Sequence, residues 1–249
     1  MELKTVWTEE VSVKTYETDF QMRWKPAAIF QVMQEAATHH ASHLGYTYEA
    51  MISQNRIWIL SRVKIRFFDI PGHQVPVTIR TWPKGIQQKL FFMRDFELTG
   101  AGGSRVAVAT SAWVLINPAL RRMLAPQSLP VPVPDNGGLS AIDETLERVS
   151  LPADLTERSR VRAGYSAVDQ MGHVNNARYV EWISDAISFE QYSSRQLAWM
   201  QINYINEVKP GDEVSLSLGP NPIQDGTWAV QGVNRMSSGL AFEALLGWK

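Results

Sequence analysis

The chain has 249 residues, of which 45% are hydrophobic and 20% are charged, and its formal net charge is −1. This composition is typical of a globular protein with one large or two small domains, and the charge argues against a general nucleic-acid binder. The absence of cysteine excludes disulfides, cysteine zinc ligands and a cysteine nucleophile. No apolar run approaches the roughly 18 residues of a membrane span. The first residues also show no signal peptide, so we expect a cytoplasmic protein without membrane insertion.

The first half of the chain predicts one strand, one helix and then a four-stranded meander. Residues 11–16 alternate apolar and polar side chains, as a half-buried strand does. Pro26 suits the first turn of a helix, which we place at residues 27–44 because apolar residues recur on one helical face before Gly45. Turn signals rich in proline and glycine then separate four β-rich segments, at residues 58–68, 75–82, 90–98 and 105–116.

The middle of the chain has the composition of an extended linker. Four prolines between residues 126 and 134 stiffen it, and an Asn-Gly-Gly turn signal follows. We predict a crossing linker over residues 121–157, with one short helix near residues 140–148.

The second half repeats the order of the first. A strand is predicted at residues 159–167 and a helix at residues 176–189, again with apolar side chains on one face. Four strand segments follow, at residues 197–208, 213–218, 228–233 and 240–248. The shared order indicates two copies of one α+β unit, each an antiparallel sheet curled around a helix.

Individual residues also align between the two copies. Asp19 and Asp169 are 150 positions apart, whereas Pro71 and Pro210, each followed by glycine, are 139 positions apart. The first copy is therefore expected to carry about eleven extra residues after its helix.

A polar cluster lies between the strand and the helix of the second copy. Asp169, His173, Asn175 and Asn176 stand just before or at the start of a helix that should be buried. Free backbone N–H groups at a helix start can hold a carbonyl oxygen as it becomes an oxyanion, and Asp169 could orient the His173 ring. Taken singly, each residue also fits an N-cap or a turn. Together they predict a candidate site.

A second candidate lies on the strand that follows this helix. Glu207 comes near the end of an apolar strand, where it is either a rim residue facing water or a partly buried base. The first copy has Arg23 and Lys25 where the second has His173 and Asn175. We therefore predict that the first copy lacks the chemistry.

Two segments carry a resemblance to a known family. The run Asp169-x-x-x-His-Val-Asn-Asn, followed by Tyr179 and Trp182, closely resembles the acyl-ACP thioesterases, which are the plant plastid fatty-acyl-ACP thioesterases and their bacterial relatives (ACP is acyl carrier protein). Residues 203–212, Asn-Tyr-Ile-Asn-Glu-Val-Lys-Pro-Gly-Asp, resemble the glutamate-bearing strand of that family.

The resemblance implies a tandem hotdog fold, with domains at residues 1–120 and 158–249. It implies hydrolysis of fatty acyl-ACP without a cofactor or metal, with acyl-ACP as the partner; a homodimer is left open. The family's catalytic aspartate, histidine and glutamate match Asp169, His173 and Glu207, and Asn175 lies in the same motif. The first domain would house the acyl chain, with candidate lining residues Met22, Trp24, Ile29, Phe30, Met33, Trp58 and Leu60.

ACP is acidic, so basic residues near the tunnel mouth are expected. The candidates are Arg66, Lys84, Lys89, Arg94, Arg121, Arg122 and Lys209.

Two positions depart from the family's pattern. Met171 stands where plant members often have an asparagine, and methionine cannot usefully hydrogen-bond a substrate carbonyl. Val208 stands where some plant members have a cysteine, so a cysteine mechanism is excluded. Glu207 could activate water or attack the thioester directly. The alternatives are an acyl-CoA thioesterase, a non-catalytic acyl-binding protein and a hotdog dehydratase.

Overall fold

The computed structural model describes residues 3–249, and the chain divides into two compact units. The first unit contains the N-terminal segment to Lys25 with residues 31–63 and 68–146. The second contains residues 147–249 together with the short segments 26–30 and 64–67. No helix within residues 3–249 is long and apolar enough to cross a membrane.

The first copy of the repeat contains five main strands and two helices, close to the predicted positions. In chain order its elements are β1 (Trp7–Ser12), α1 (Pro26–His43), α2 (Tyr48–Ile52), β2 (Ile57–Phe67), β3 (Pro76–Gln87), β4 (Phe91–Thr99), β5 (Arg105–Asn117) and the short β6 (Arg122–Met123). The first strand lies earlier than predicted, because residues 15–17 form a 3₁₀ turn instead of continuing the strand.

The strands of the first copy lie in the order β1-β3-β4-β5-β2, so the predicted four-stranded meander is wrong for β2. The main strands β3, β4 and β5 form consecutive antiparallel pairs, and the short β6 pairs with β5. The connection after β2 is a wide loop whose backbone bonds to the segments before α1 rather than closing a hairpin. In it, Pro71 accepts a hydrogen bond from the Trp24 backbone N–H at 2.9 Å, and Val75 accepts one from the Val13 backbone N–H at 3.3 Å.

The predicted short helix at residues 140–148 is wrong, because this segment is extended and irregular. Side chains of the first unit bind its backbone groups, which a helix would have bonded internally. Asp95 accepts a hydrogen bond from the Ala141 N–H at 2.7 Å, and Arg62 donates to the Leu146 carbonyl at 2.8 Å. Residues 140–148 are therefore held by side chains and not by secondary structure of their own.

The second copy repeats the first element by element. It contains β7 (Thr156–Arg162), α3 (Asn176–Ala186), α4 (Phe189–Ser194), β8 (Leu197–Tyr204), β9 (Glu213–Pro220), β10 (Thr227–Asn234) and β11 (Gly239–Trp248). Its strand order, β7-β9-β10-β11-β8, is the order of the first copy when β7 matches β1 and β8 matches β2. The buried face of α3 packs Ala177, Tyr179, Val180, Trp182 and Ile183.

The backbone corrects the alignment of the two copies after the helix. Val13 accepts a hydrogen bond from the Gln74 N–H, and Ala163 accepts the equivalent bond from the Gly211 N–H, both at 2.8 Å. Gln74 therefore matches Gly211, 137 positions later, and the first copy has thirteen extra residues instead of about eleven. Both residues have positive φ, 62° and 87°. The alignment taken from the two Pro-Gly pairs is wrong by two residues, because the position with positive φ is occupied by Gln74 in the first copy and by Gly211 in the second.

His40 lies on the buried face of α1 and is completely inaccessible to solvent. Its Nε2 lies 2.9 Å from the Lys4 carbonyl oxygen, and its Nδ1 lies 3.1 Å from Nη1 of Arg94. Because arginine only donates hydrogen bonds, Nδ1 is the acceptor and Nε2 carries the proton. Burial, and next the charge of Arg94, lower the pKa of His40 to about 4. His40 is thus held neutral.

This arrangement predicts that stability falls on acidification. Because the folded-state pKa lies below the ordinary 6.5, the unfolded chain binds a proton first. The contribution of neutral His40 to the free energy of unfolding is complete above pH 6.5 and is lost as the pH falls towards about 4. A shift of this size corresponds to at most about 3 kcal/mol. In urea unfolding across this range, His40→Gln should flatten the pH dependence, whereas the exposed-site control His73→Gln should not. An unchanged slope in His40→Gln would contradict the prediction.

Candidate active site

Asp169 closes the tight turn that precedes α3. Its backbone N–H donates to the His173 carbonyl at 2.9 Å, and its carbonyl accepts from the Gly172 N–H at 3.0 Å. Its carboxylate accepts from the Met171 N–H at 2.9 Å. Gly172 has φ 76°, which glycine adopts without strain. The carboxylate of Asp169 therefore orients the turn. It binds the backbone N–H of Met171, so this hydrogen bond does not depend on the side chain by which Met171 departs from the family's pattern.

His173 and Glu207 meet directly at the end of this turn. The backbone N–H of Val174 donates to the carbonyl of Val208 at 2.9 Å, which joins segments more than thirty residues apart. Immediately before these two residues, Nε2 of His173 lies 2.9 Å from Oε2 of Glu207. The two side chains are 36% and 37% exposed, so the pair reaches solvent. The partner of the His173 ring is thus Glu207 and not Asp169.

Asn175 is the N-cap of α3. Its Oδ1 accepts a hydrogen bond from the Ala177 N–H at 2.9 Å, and its own N–H donates to the Ala167 carbonyl at 2.9 Å. The side-chain Oδ1 of Asn175 is therefore engaged by the helix that it caps. At the next residue, the carbonyl of Asn176 accepts a hydrogen bond from the Tyr204 hydroxyl at 3.1 Å. The sequence reasoning had missed Tyr204.

The first copy has the same turn without the acid–base pair. Asp19 donates its backbone N–H to the Arg23 carbonyl at 2.8 Å, and its carboxylate forms an ion pair with the Arg23 guanidinium at 3.1 Å. Arg23 takes the place of His173 at the offset of 150, and Ile70 takes the place of Glu207 at the offset of 137. The turn of the first copy thus has no histidine–glutamate pair.

Most candidate acyl-lining residues are buried, but they do not form one cluster within a unit. The buried ones are Trp24, Ile29, Phe30, Met33 and Leu60. Ile29 and Phe30 group with the second unit, and Trp58 packs partly buried in the first. Met22 is 69% exposed at φ 59° on the turn, equivalent to Gly172, so it does not line an interior pocket.

Two of the basic residues expected to face ACP are engaged elsewhere. Lys84 forms an ion pair with the fully buried Asp95 at 3.1 Å, and Arg94 points towards the buried His40. They do not contribute to a free basic surface. Within residues 3–249, His, Asp and Glu side chains form no group of three arranged to hold a metal ion.

Solved structures confirm the predicted tandem hotdog fold. An acyl-ACP thioesterase from Bacteroides thetaiotaomicron superposes with a TM-score of 0.85 at 22% identity, covering 98% of both chains. The 12:0-ACP thioesterase from Umbellularia californica superposes with a TM-score of 0.79 at 18% identity, covering 99% of this chain and 98% of that one. Family models for the acyl-ACP thioesterase N-terminal and C-terminal domains match residues 4–127 and 152–235. The chain belongs to the acyl-ACP thioesterase family.

Two similar curated proteins come from plants. The chloroplastic oleoyl-acyl carrier protein thioesterase of Coriandrum sativum is 23% identical over 241 residues, which is 88% of this chain and 64% of that protein. A chloroplastic palmitoyl-acyl carrier protein thioesterase of Gossypium hirsutum is 24% identical over 94% of this chain and 61% of that protein. The chain thus spans less than two thirds of the length of these relatives.

The N-cap predicts a stability difference between two substitutions of Asn175. Asn175→Ala removes the cap and should destabilise the protein by about 1 kcal/mol, whereas Asn175→Asp keeps an equivalent acceptor and should stay near wild type. Lys25→Ala is the matched control, because Lys25 is the N-cap of α1 and makes no side-chain cap hydrogen bond. Urea unfolding measures all three. Equal loss in the alanine and aspartate variants would contradict the capping role.

Proposed function

We propose that this protein hydrolyses fatty acyl-ACP thioesters and that His173 and Glu207 carry the reaction. The observation that carries the proposal is the 2.9 Å contact between Nε2 of His173 and Oε2 of Glu207 beside the start of α3. Family membership and the names of the relatives support the substrate class.

The proposed reaction begins with Glu207 as a carboxylate general base. Glu207 takes a proton from a water molecule, whose oxygen adds to the thioester carbonyl carbon. The tetrahedral intermediate then breaks its carbon–sulfur bond, and protonated His173 gives a proton to the departing sulfur. The proton held by Glu207 passes to His173 across their direct contact, which restores both groups. The products are one fatty acid and one carrier thiol.

Donors at the start of α3 complete the proposed site. The amide nitrogen of Asn175 and the backbone N–H of Asn176 would stabilise the oxyanion, helped by the positive end of the helix dipole. The first copy has Pro26 in place of Asn176, and proline has no N–H. Asp169 acts by shaping the turn. Trp24, Met33, Trp58 and Leu60, which belong to the first unit, remain proposed acyl-chain lining residues.

Direct attack by Glu207, forming an acyl anhydride, is the second candidate mechanism. The 37% exposure of the Glu207 side chain favours the water mechanism, because water reaches the carboxylate. Label found in Glu207 after a single turnover in ¹⁸O-labelled water would identify direct attack. Water attack puts the label in the fatty acid, whereas hydrolysis of an anhydride at the glutamyl carbonyl puts it in Glu207.

Substitution of the pair should abolish most of the activity. Glu207→Gln and His173→Ala are each expected to lower kcat by about 10² to 10⁴-fold, because each removes a proton-transfer group. Glu213→Gln, which alters a half-exposed carboxylate of the second copy, should stay within about two-fold of wild type. Hydrolysis of acyl-ACP is followed by thiol release. Near wild-type rates in both site variants would refute the assignment.

The carrier is tested with matched substrates. Acyl-ACP and acyl-CoA ladders of equal chain lengths are incubated with the protein, and free fatty acid and thiol are measured. Higher kcat/KM with ACP is expected, and preference for CoA would indicate an acyl-CoA thioesterase. Inert thioesters with tight fatty-acid binding would indicate an acyl-binding protein, and loss of water from a hydroxyacyl substrate would indicate a dehydratase. The cytoplasmic location and any homodimer stay predictions.

A further inference from the structure

Tyr204 joins the strand that leads to Glu207 with the helix that opens at the site. It is the last residue of β8 and lies three residues before Glu207. Its hydroxyl donates to the backbone carbonyl of Asn176, at a distance of 3.1 Å. Asn176 is the first residue of α3 and directly follows the N-cap, Asn175. One hydroxyl therefore bridges the two segments that supply the proposed base and the proposed oxyanion donors.

The hydroxyl and the ring of Tyr204 are both held in place. Burial, and next the neighbouring Tyr179, raise the pKa of Tyr204 far above its ordinary value, so the hydroxyl stays a donor at every working pH. The ring of Tyr179 meets that of Tyr204 edge to face, with centroids 5.4 Å apart and planes at 86°. Tyr179 packs in the same way against Phe242, at 5.4 Å and 87°. Packing thus fixes the ring and the hydrogen bond fixes the hydroxyl.

The first copy shows that the fold does not require this hydroxyl. At the offset of 137, Phe67 takes the place of Tyr204, and each is the last residue of its strand. The next residue donates its backbone N–H to the neighbouring strand in both copies, Phe68 to Val106 and Ile205 to Ala241, each at 2.9 Å. The aromatic ring is therefore common to both copies, while the hydroxyl occurs in the copy that has the His173–Glu207 pair.

Glu207 lies between two tethers. After it, the Val208 carbonyl accepts the Val174 backbone N–H; before it, the Tyr204 hydroxyl binds the Asn176 carbonyl. Its side chain is partly exposed, so packing alone does not hold it. Backbone hydrogen bonds from Ile205 and Asn206 to Ala241 fix this segment to β11, whereas the Tyr204 hydroxyl ties it to the start of α3.

We propose that Tyr204 is a positioning residue for the thioesterase reaction. This role rests on the function proposed above. Its hydrogen bond holds the Glu207 segment and the start of α3 in one arrangement. The water activated by Glu207 and the donors at Asn175 and Asn176 then act on the same carbonyl group. Because displacements of about 1 Å lower rates by as much as about 10²-fold, one tether is sufficient to affect turnover.

Tyr204→Phe tests the proposal by changing Tyr204 to the residue that the first copy has. We expect kcat for acyl-ACP to fall about ten-fold, because Glu207 is less well placed, while KM stays within about two-fold. The pH profile of kcat should shift, because the His173–Glu207 spacing is no longer fixed. A purely structural role would change neither the pH profile nor the rate per folded molecule.

Tyr46→Phe is the matched control. The Tyr46 hydroxyl also donates to a backbone carbonyl, that of Val131 at 2.7 Å, but within the first unit. This variant should keep kcat within about two-fold of wild type and keep its pH profile. Thermal unfolding of both variants gives the folded fraction by which each rate is divided.

Parallel measurements separate this proposal from the proposed function. In the Glu207→Gln background, Tyr204→Phe should change the residual rate by less than about two-fold, because the base that Tyr204 positions against the oxyanion donors is absent. If Glu207→Gln is inactive but Tyr204→Phe keeps the wild-type kcat and pH profile, the positioning role is overturned and the function stands. If Glu207→Gln is fully active, the assignment of Glu207 as the base fails first. An equal kcat loss in Tyr46→Phe would also overturn the positioning role.

Discussion

The backbone hydrogen bond from Val174 to Val208, 2.9 Å long, is the constraint on which the site depends. A single such bond contributes only about 1 kcal/mol to stability, yet it sets the register between a turn and a distant strand end. His173 and Glu207 each stand one residue before a bonded partner, so a slip of one residue would separate them. The chemistry thus depends on a main-chain contact to which neither side chain contributes.

The same constraint exists where no acid–base pair does. In the first copy, Trp24 donates its backbone N–H to the Pro71 carbonyl, also at 2.9 Å. The residues that precede this bond are Arg23 and Ile70. A guanidinium stays protonated and an isoleucine has no exchangeable proton, so this pair cannot move a proton. The two copies differ in function because of side chains placed on one shared backbone scaffold.

The regular elements could be predicted from the sequence because their signals are local. Apolar periodicity and turn residues placed α1, α3 and nearly all the strands within a few residues. The position of β2 beside β5 could not be predicted, because strand neighbours depend on distant pairings that leave no local pattern. The short helix at residues 140–148 was wrongly predicted for a related reason, since the extended form of this segment depends on side chains of the first unit, such as Asp95.

The candidate site was predicted in its members but not in its contacts. The motif gave Asp169, His173 and Glu207, while the spacing suggested that Asp169 would hold the ring of His173. The structure instead uses that carboxylate on the backbone of the turn. The role of Tyr204 was hidden by the two-residue alignment error, because only the corrected offset sets it against Phe67.

Structural and chemical roles need not compete at Asn175. Sequence reasoning set an N-cap against a substrate contact as two explanations of one residue. In the structure the cap engages only Oδ1, because the Ala177 N–H is a donor and needs an acceptor. This bond fixes the side-chain oxygen and does not use the amide nitrogen. In the proposed reaction, the capping hydrogen bond therefore orients the side-chain amide of Asn175, which donates to the oxyanion.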